Sequence, residues 1–207
     1  KNQDIVQALL NKHANASLQN GDGNTALHLA VQKGDKDIVQ ALLDEHVDVN
    51  IPNGDGDTAL HLAIKEGDKD SALALIRNNG TKINLCNRDG STALHLAIEQ
   101  GHTELALALI DNKDIDINLQ KRDENTALHL AVQEGYEDIV EALLDNDANV
   151  NLQNGCGNTA LHLAAQSKNQ DIVQALLDKD ANVNVLNIGR YTALHLAVQK
   201  GDEDIVK

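Results

Sequence analysis

The sequence has no phenylalanine, no tryptophan and no methionine, and its only benzene-type rings are those of Tyr136 and Tyr191. Leu, Ile, Val and Ala must therefore build the core. Such a set suits closely packed helices, because Leu and Ala have high helix propensity and small residues let helix axes approach. Basic residues are also scarce: 17 Lys and Arg stand against 32 Asp and Glu, a formal charge of −15 with no basic patch. Nucleic acid and anionic membrane surfaces are thus not expected partners, since both are held by cationic clusters. No stretch approaches the ~20 apolar residues of a membrane span. Residues Lys1-Asn2-Gln3-Asp4 begin no signal-peptide h-region, so neither membrane insertion nor a leader is expected. Two cysteines, Cys86 and Cys156, lie far apart with no second thiolate ligand near either. A disulfide framework or zinc site is not expected, and a reducing, cytoplasmic compartment is the default; the alternative is a secreted effector acting inside a host cell.

What the chain does have is self-similarity. The hexapeptide Thr-Ala-Leu-His-Leu-Ala begins at Thr25, Thr58, Thr92, Thr126, Thr159 and Thr192, at offsets of 33, 34, 34, 33 and 33. A period of this length marks stacked supersecondary units. A Gly/Asn/Asp-rich turn such as Asn20-Gly21-Asp22-Gly23-Asn24 precedes each copy, and a second apolar run such as Asp37-Ile38-Val39-Gln40-Ala41-Leu42-Leu43 follows. Each unit therefore reads turn, helix, turn, helix. In the first, Thr25 is an N-cap, Ala26 to Lys33 form the first helix, and Gly34 supplies the left-handed residue that ends it. Asp35 caps the second helix, and Asp37 lies in its first turn, where a carboxylate complements the helix dipole. Helices this short are below the ~12–15 residues needed for marginal stability alone in water, so stacking must hold them. Leu27 and Leu29, with counterparts such as Leu94 and Leu96, are expected to form a continuous interior between units.

The turn, the T-A-L-H-L-A helix, the glycine, D-I-V-Q-A-L-L and a closing V-N resemble ankyrin repeats over essentially the whole chain. The resemblance implies an all-α fold, an α-solenoid of helix-turn-helix units joined by β-hairpin-like loops. The family's T-P-L-H is T-A-L-H in every copy, a harmless exchange at the first helical position. The glycine usual after the second helix is replaced by His13, His46, Asp147 and Asp180, types that tolerate left-handed geometry. Units starting at Asn53 and Asn87 carry one extra residue near Asn79-Gly80 and Lys113-Asp114, where a longer or looser loop is expected. The register gives one array over 1–207: a partial repeat at 1–19, full repeats at 20–52, 53–86, 87–120, 121–153 and 154–186, and a partial repeat at 187–207. Apolar Ile5, Val6, Leu9 and Leu10 at one end and Ile205-Val206 at the other suggest further repeats of the same chain at both ends.

Motifs that imitate chemical sites have structural explanations. His28, His61, His95, His129, His162 and His195 occupy one repeat position, and neighbouring copies should stand ~8–10 Å apart, too far to converge on one metal. The resemblance implies that each imidazole instead hydrogen-bonds the Thr three residues earlier and the backbone of a neighbouring repeat. Gly21-Asp22-Gly23-Asn24-Thr25-Ala26 imitates a dinucleotide fingerprint, but no buried strand precedes it, so its glycines are read as turn residues. Asn53-Gly54-Asp55-Gly56-Asp57 opens like a calcium loop but lacks the sixth-position glycine and the twelfth-position carboxylate. No nucleophile elbow, HExxH, P-loop or kinase signature occurs, so no catalysis and no cofactor are expected. Cys156 sits at a turn tip, where a redox role is less plausible than an incidental surface thiol. Asn50 lies in a pattern that resembles hydroxylated ankyrin asparagines, against the simpler reading that it bonds hairpin backbone.

The function expected on these grounds is a protein-protein interaction scaffold. Its alternative is the targeting or regulatory region of a larger multidomain enzyme, toxin, effector or channel. Binding is expected on the concave face of turn tips and first helices. The residues assigned there are Asp22, Asn24, Asp55, Asp57, Arg88, Asp89 and Ser91, then Arg122, Asp123, Asn125, Asn158, Ile188, Arg190 and Tyr191. The acidic row broken by Arg88 and Arg122 suits another protein with a basic or mixed-charge surface. Tyr191 is the strongest anchor candidate, ahead of Tyr136, because an exposed ring buries a large area at low entropic cost.

Overall fold

A computed structural model describes residues 2–167, 169–199 and 201, so Ile205 and Val206 lie outside the described residues. The chain divides into two compact units, Lys1–Ile115 and Asp116–Lys207. The first holds α1 (Asn2–Leu10), α2 (Ala26–Gln32), α3 (Lys36–Asp44), α4 (Ala59–Lys65), α5 (Lys69–Arg77), α6 (Ala93–Glu99) and α7 (Thr103–Ile110). The second holds α8 (Ala127–Glu134), α9 (Glu137–Asp145), α10 (Ala160–Ser167), α11 (Gln170–Asp178) and α12 (Ala193–Gln199). Among the described residues the only β pairing is an isolated antiparallel bridge between Cys86 and Thr92.

Within each unit the order repeats. First helices pack on the second helix of their own repeat, α2 on α3, α4 on α5 and α6 on α7, then α8 on α9 and α10 on α11. First helices also stack on one another, α2–α4–α6 in one unit and α8–α10–α12 in the other. Alanine makes this close stacking possible: Ala59, Ala63, Ala97, Ala131 and Ala164 are wholly buried. Leu42, Leu75 and Leu109 in the first unit, and Leu143 and Leu176 in the second, seal the second helices. Removing any one side chain leaves a cavity and costs about 2–5 kcal/mol. Leu29 departs from the expected interior. Leu62, Leu96, Leu130 and Leu196 are buried, but Leu29 is exposed, because the repeat ahead of it contributes only α1, which packs on α3.

Caps set the helix limits. Asp35 and Asp68 accept from the amides of Ile38 and Ser71 at 3.2 Å, and Asn169 accepts from Ile172 at 3.0 Å. Tyr136 takes the same place before α9, half-buried and with no capping bond. After the second helices, His13, His46, Asp147 and Asp180 adopt φ of 61°, 53°, 61° and 58°, the left-handed geometry expected of them. The two longer turns close differently. Asn78 Oδ1 accepts from Gly80 N at 2.9 Å and Asn112 Oδ1 from Asp114 N at 3.0 Å, so the extra residue is absorbed in an Asx turn and the loop is tied down. On the outer face Lys36 pairs with Asp70, Lys69 with Glu104 at 2.6 Å, and Lys179 with Asp145 at 3.2 Å. Exposed pairs of this kind add little stability.

Candidate docking surface

Each turn tip is built around an asparagine at its base. Asn20 Oδ1 accepts from the amides of Asp22 at 3.0 Å and Asn24 at 2.9 Å, folding the intervening residues outward. Asn53 and Asn87 repeat this in the first unit, and Asn154 in the second. Lys121 cannot accept in this way, and there Asp123 Oδ1 takes the Asn125 amide at 3.0 Å instead. Adjacent tips then join by backbone: Gly54 N donates to Asp22 O at 3.0 Å in the first unit, and Gly155 N to Asp123 O at 2.9 Å in the second. This close approach explains the dinucleotide-like glycines. Gly23 has φ of 78°, and a Cβ there would stand 2.5 Å from Gly54 N.

Beneath the tips runs a ladder of side-chain amides. Asn53 Nδ2 donates to Asn24 Oδ1 at 3.2 Å and Asn87 Nδ2 to Asp57 Oδ1 at 3.0 Å; in the second unit Asn154 and Asn187 donate to Asn125 and Asn158 at 2.8 Å. Asp57 is a buried carboxylate with a second partner, Lys65 Nζ at 2.6 Å from Oδ2. A buried charge needs such compensation.

Below the ladder sit the histidines. Thr25 N–H and the Thr25 hydroxyl both donate to His28 Nδ1, at 3.1 and 2.8 Å, so the proton resides on Nε2, which donates to the Asp57 carbonyl at 3.1 Å. His129 and His162 make the same pair of links, reaching the Asn158 and Tyr191 carbonyls at 3.0 Å. His61 shares the threonine link, but its Nε2 is buried without a hydrogen bond among the described residues. Burial lowers the pKa of His28, His61, His129 and His162, because the charged imidazolium loses its hydration. His28, His129 and His162 are neutral struts that lock one repeat to the next, as the family resemblance implied, whereas among the described residues His61 is tied by hydrogen bonds only to the threonine of its own repeat.

The structure therefore separates the assigned site residues into two layers. In the first unit Asp22, Asp55, Arg88 and Asp89 are exposed, whereas Asn24, Asp57 and Ser91 are buried; Asn24 and Asp57 accept from the next repeat. Those three cannot meet a partner without opening the stack. In the second unit Arg122, Asp123, Ile188, Arg190 and Tyr191 are exposed, and Asn125 and Asn158 are half-buried ladder acceptors. The Tyr191 ring stands edge-on to His195, centroids 6.2 Å apart. Sequence reasoning passed over the base asparagines and the Asp57–Lys65 pair. The signal for the asparagines was present, since the tips at Asn20, Asn53, Asn87, Asn154 and Asn187 all begin with this residue.

The remaining candidates carry less. Among the described residues no three His, Cys, Asp or Glu side chains are grouped to hold a metal ion. No helix there is long and apolar enough to cross a membrane. Cys86 and Cys156 are both free and exposed, and partial burial of the sulfur pushes the Cys86 thiol up, away from thiolate reactivity. Asn50 bonds backbone at both ends of its amide, donating to Gly80 O at 2.8 Å and accepting from Lys82 N at 2.7 Å.

Comparison with known proteins agrees with this geometry. The family model described as ankyrin repeats (3 copies) matches residues 1–85, 67–154 and 146–207. No curated protein matches the chain. The crystal structure of EF0377, an ankyrin repeat protein, is similar with a TM-score of 0.80 and 30% identity, covering 90% of this chain and 96% of that one. The ankyrin repeat domain of Bcl-3, titled a unique member of the IkappaB protein family, is similar with a TM-score of 0.82 and 27% identity, covering 94% of this chain and 87% of that one. With all of its length matched and the repeat geometry in place, the chain belongs to the ankyrin repeat family.

Proposed function

We propose that this chain is a protein-interaction scaffold whose partner docks on the exposed turn tips and the first helices beside them. Ankyrin repeats are in general protein-interaction modules, and the fold is typically a non-catalytic one. The observation that carries the reading is the division of labour at each tip. Backbone groups are satisfied from below by asparagines, while the side chains of Asp22, Asp55, Asp89 and Arg88 make no hydrogen bond or ion pair among the described residues. Side chains with no structural duty, held on a rigid base, are pre-organised for recognition. In the first unit this row favours a basic or mixed-charge protein surface, whose approach a net charge of −15 would steer. In the second unit Arg122, Asp123, Arg190, Ile188 and Tyr191 offer a more apolar and mixed-charge contact.

Affinity capture with this chain, repeated with Asp55→Lys, Asp89→Lys and Tyr191→Ala, tests the assignment. A protein retained by the wild-type chain and lost from at least one variant supports it. The same protein recovered undiminished by all three refutes the surface.

A further inference from the structure

The second helices of the two repeats with longer turns share an apolar departure. At the outward position held by Gln40 in α3, Glu141 in α9 and Gln174 in α11, all exposed, α5 has Leu73 and α7 has Leu107, both half-buried. Internal packing does not call for leucine there, since the other three helices close without one. In the first unit Leu73 opens onto a groove. Between α3 and α5 the outer face sinks into a cavity of about 600 Å³, lined by Leu43 and Leu73 and bounded past the helix end by the longer turn at Asn78 and Asn79. Its two walls carry unlike charges. Among the described residues Asp44 on α3 is met only by the Gln40 amide, at 2.7 Å from Oδ1, and Arg77 on α5 makes no hydrogen bond or ion pair. Asp70, on the same groove, is already paired with Lys36.

We propose that this groove is a second docking surface, separate from the turn tips, and that its occupant is one amphipathic helix of another protein. The chemistry of that helix follows from the walls. Leucine or isoleucine side chains one turn apart meet Leu43 and Leu73, a lysine or arginine on the flank against α3 pairs with Asp44, and a glutamate or aspartate on the flank against α5 pairs with Arg77. A helix fits where a strand does not. The groove walls are helices that present side chains and no free backbone edge, so an extended peptide would lay unpaired N–H and C=O groups on leucine, whereas a helix satisfies its own. The nine residues of α5 run about 14 Å, room for two to three turns of the partner. A second copy of this chain is disfavoured as occupant, because each copy carries a charge of −15.

A phage-displayed library of helical peptides of about 18 residues, long enough to hold a helix alone, is selected against the 207-residue chain. Enriched sequences are expected to show the apolar pair one turn apart between a cationic and an anionic flank. Leu73→Gln installs the residue that α3 and α11 carry at this position, so circular dichroism should show it folded, and it is expected to weaken the selected peptides about tenfold or more. Arg77→Glu is expected to weaken them as well, and exchange of their anionic flank residue for lysine to restore binding to that variant. Asp55→Lys is expected to bind them as wild type does, which separates the groove from the tip surface. A selection that yields no such helical pattern, peptides that bind Leu73→Gln undiminished, or an exchanged peptide that does not recover Arg77→Glu overturns the proposal. So does a wild-type chain that sediments as a dimer and becomes monomeric in Leu73→Gln, which would make the occupant a second copy.

Discussion

The Asp57–Lys65 pair gives a sharp test of how the tips are held. Asp57 is 2% exposed and its carboxylate has two partners, Lys65 Nζ at 2.6 Å and Asn87 Nδ2 at 3.0 Å. Lys65→Ala leaves Oδ2 charged, buried and without its cation. Breaking a fully buried pair costs about 3–5 kcal/mol. The Lys65 side chain is 32% exposed, so water enters along its path once it is truncated, and about 2 kcal/mol is expected. Asp57→Asn should cost less than ~1 kcal/mol, because Asn24 fills the equivalent position and accepts the same bond from Asn53. In the Asp57→Asn background no charge remains to be stranded, and Lys65→Ala should then cost only its lost packing. Urea unfolding followed by circular dichroism on the four proteins of this cycle measures a coupling of about 1–2 kcal/mol if the pair acts as described. Equal cost of Lys65→Ala in the wild-type chain and in the Asp57→Asn background refutes the reasoning.

Three further outcomes follow from the same geometry. The buried imidazoles of His28, His61, His129 and His162 have pKa values lowered by burial, so the unfolded chain binds protons more readily than the folded one. Stability is therefore complete above the unfolded value of about 6.5 and falls as pH drops below it, with a limiting slope of about 1.4 kcal/mol per pH unit for each histidine. A urea midpoint unchanged between pH values of about 7.5 and 5.5 contradicts this. Glu124 has φ of 60° where other tips carry Gly23, Gly56, Gly90 and Gly157, so Glu124→Gly should stabilise by about 0.5–1 kcal/mol, read as a higher urea midpoint. Asn50→Ala removes two bonds to the following repeat and should cost about 1–2 kcal/mol, measured the same way; a neutral result would detach Asn50 from the stack.

Much of this architecture was legible in the residues because the repeat writes each position several times. The Thr–Ala–Leu–His–Leu–Ala register marked the first helices and the histidine role, and the D-I-V run marked the second helices with Asp35 as cap. The surface was harder to read. Asn24, Asp57 and Ser91 looked like tip residues, yet all three are buried and Asn24 and Asp57 accept in the ladder, because the loop reverses between Asp22 and Asn24. Polarity does not distinguish a residue bonding the next repeat from one facing solvent. Leu29 and Leu96 share a sequence position and differ only in what packs against them, which no local pattern encodes.

The account rests on the tips being free of structural duty, and one comparison of unfolding midpoints reaches that directly. The triple substitution Asp22→Lys, Asp55→Lys and Asp89→Lys alters only exposed side chains that make no hydrogen bond or ion pair among the described residues. Asn53→Ala removes the acceptor of two tip amides and the donor to Asn24. The triple variant should unfold within about 0.5 kcal/mol of wild type, while the single asparagine change should cost about 1–3 kcal/mol. A triple variant destabilised as much as Asn53→Ala would show that the acidic row holds the fold together, and the docking surface would have to be sought elsewhere.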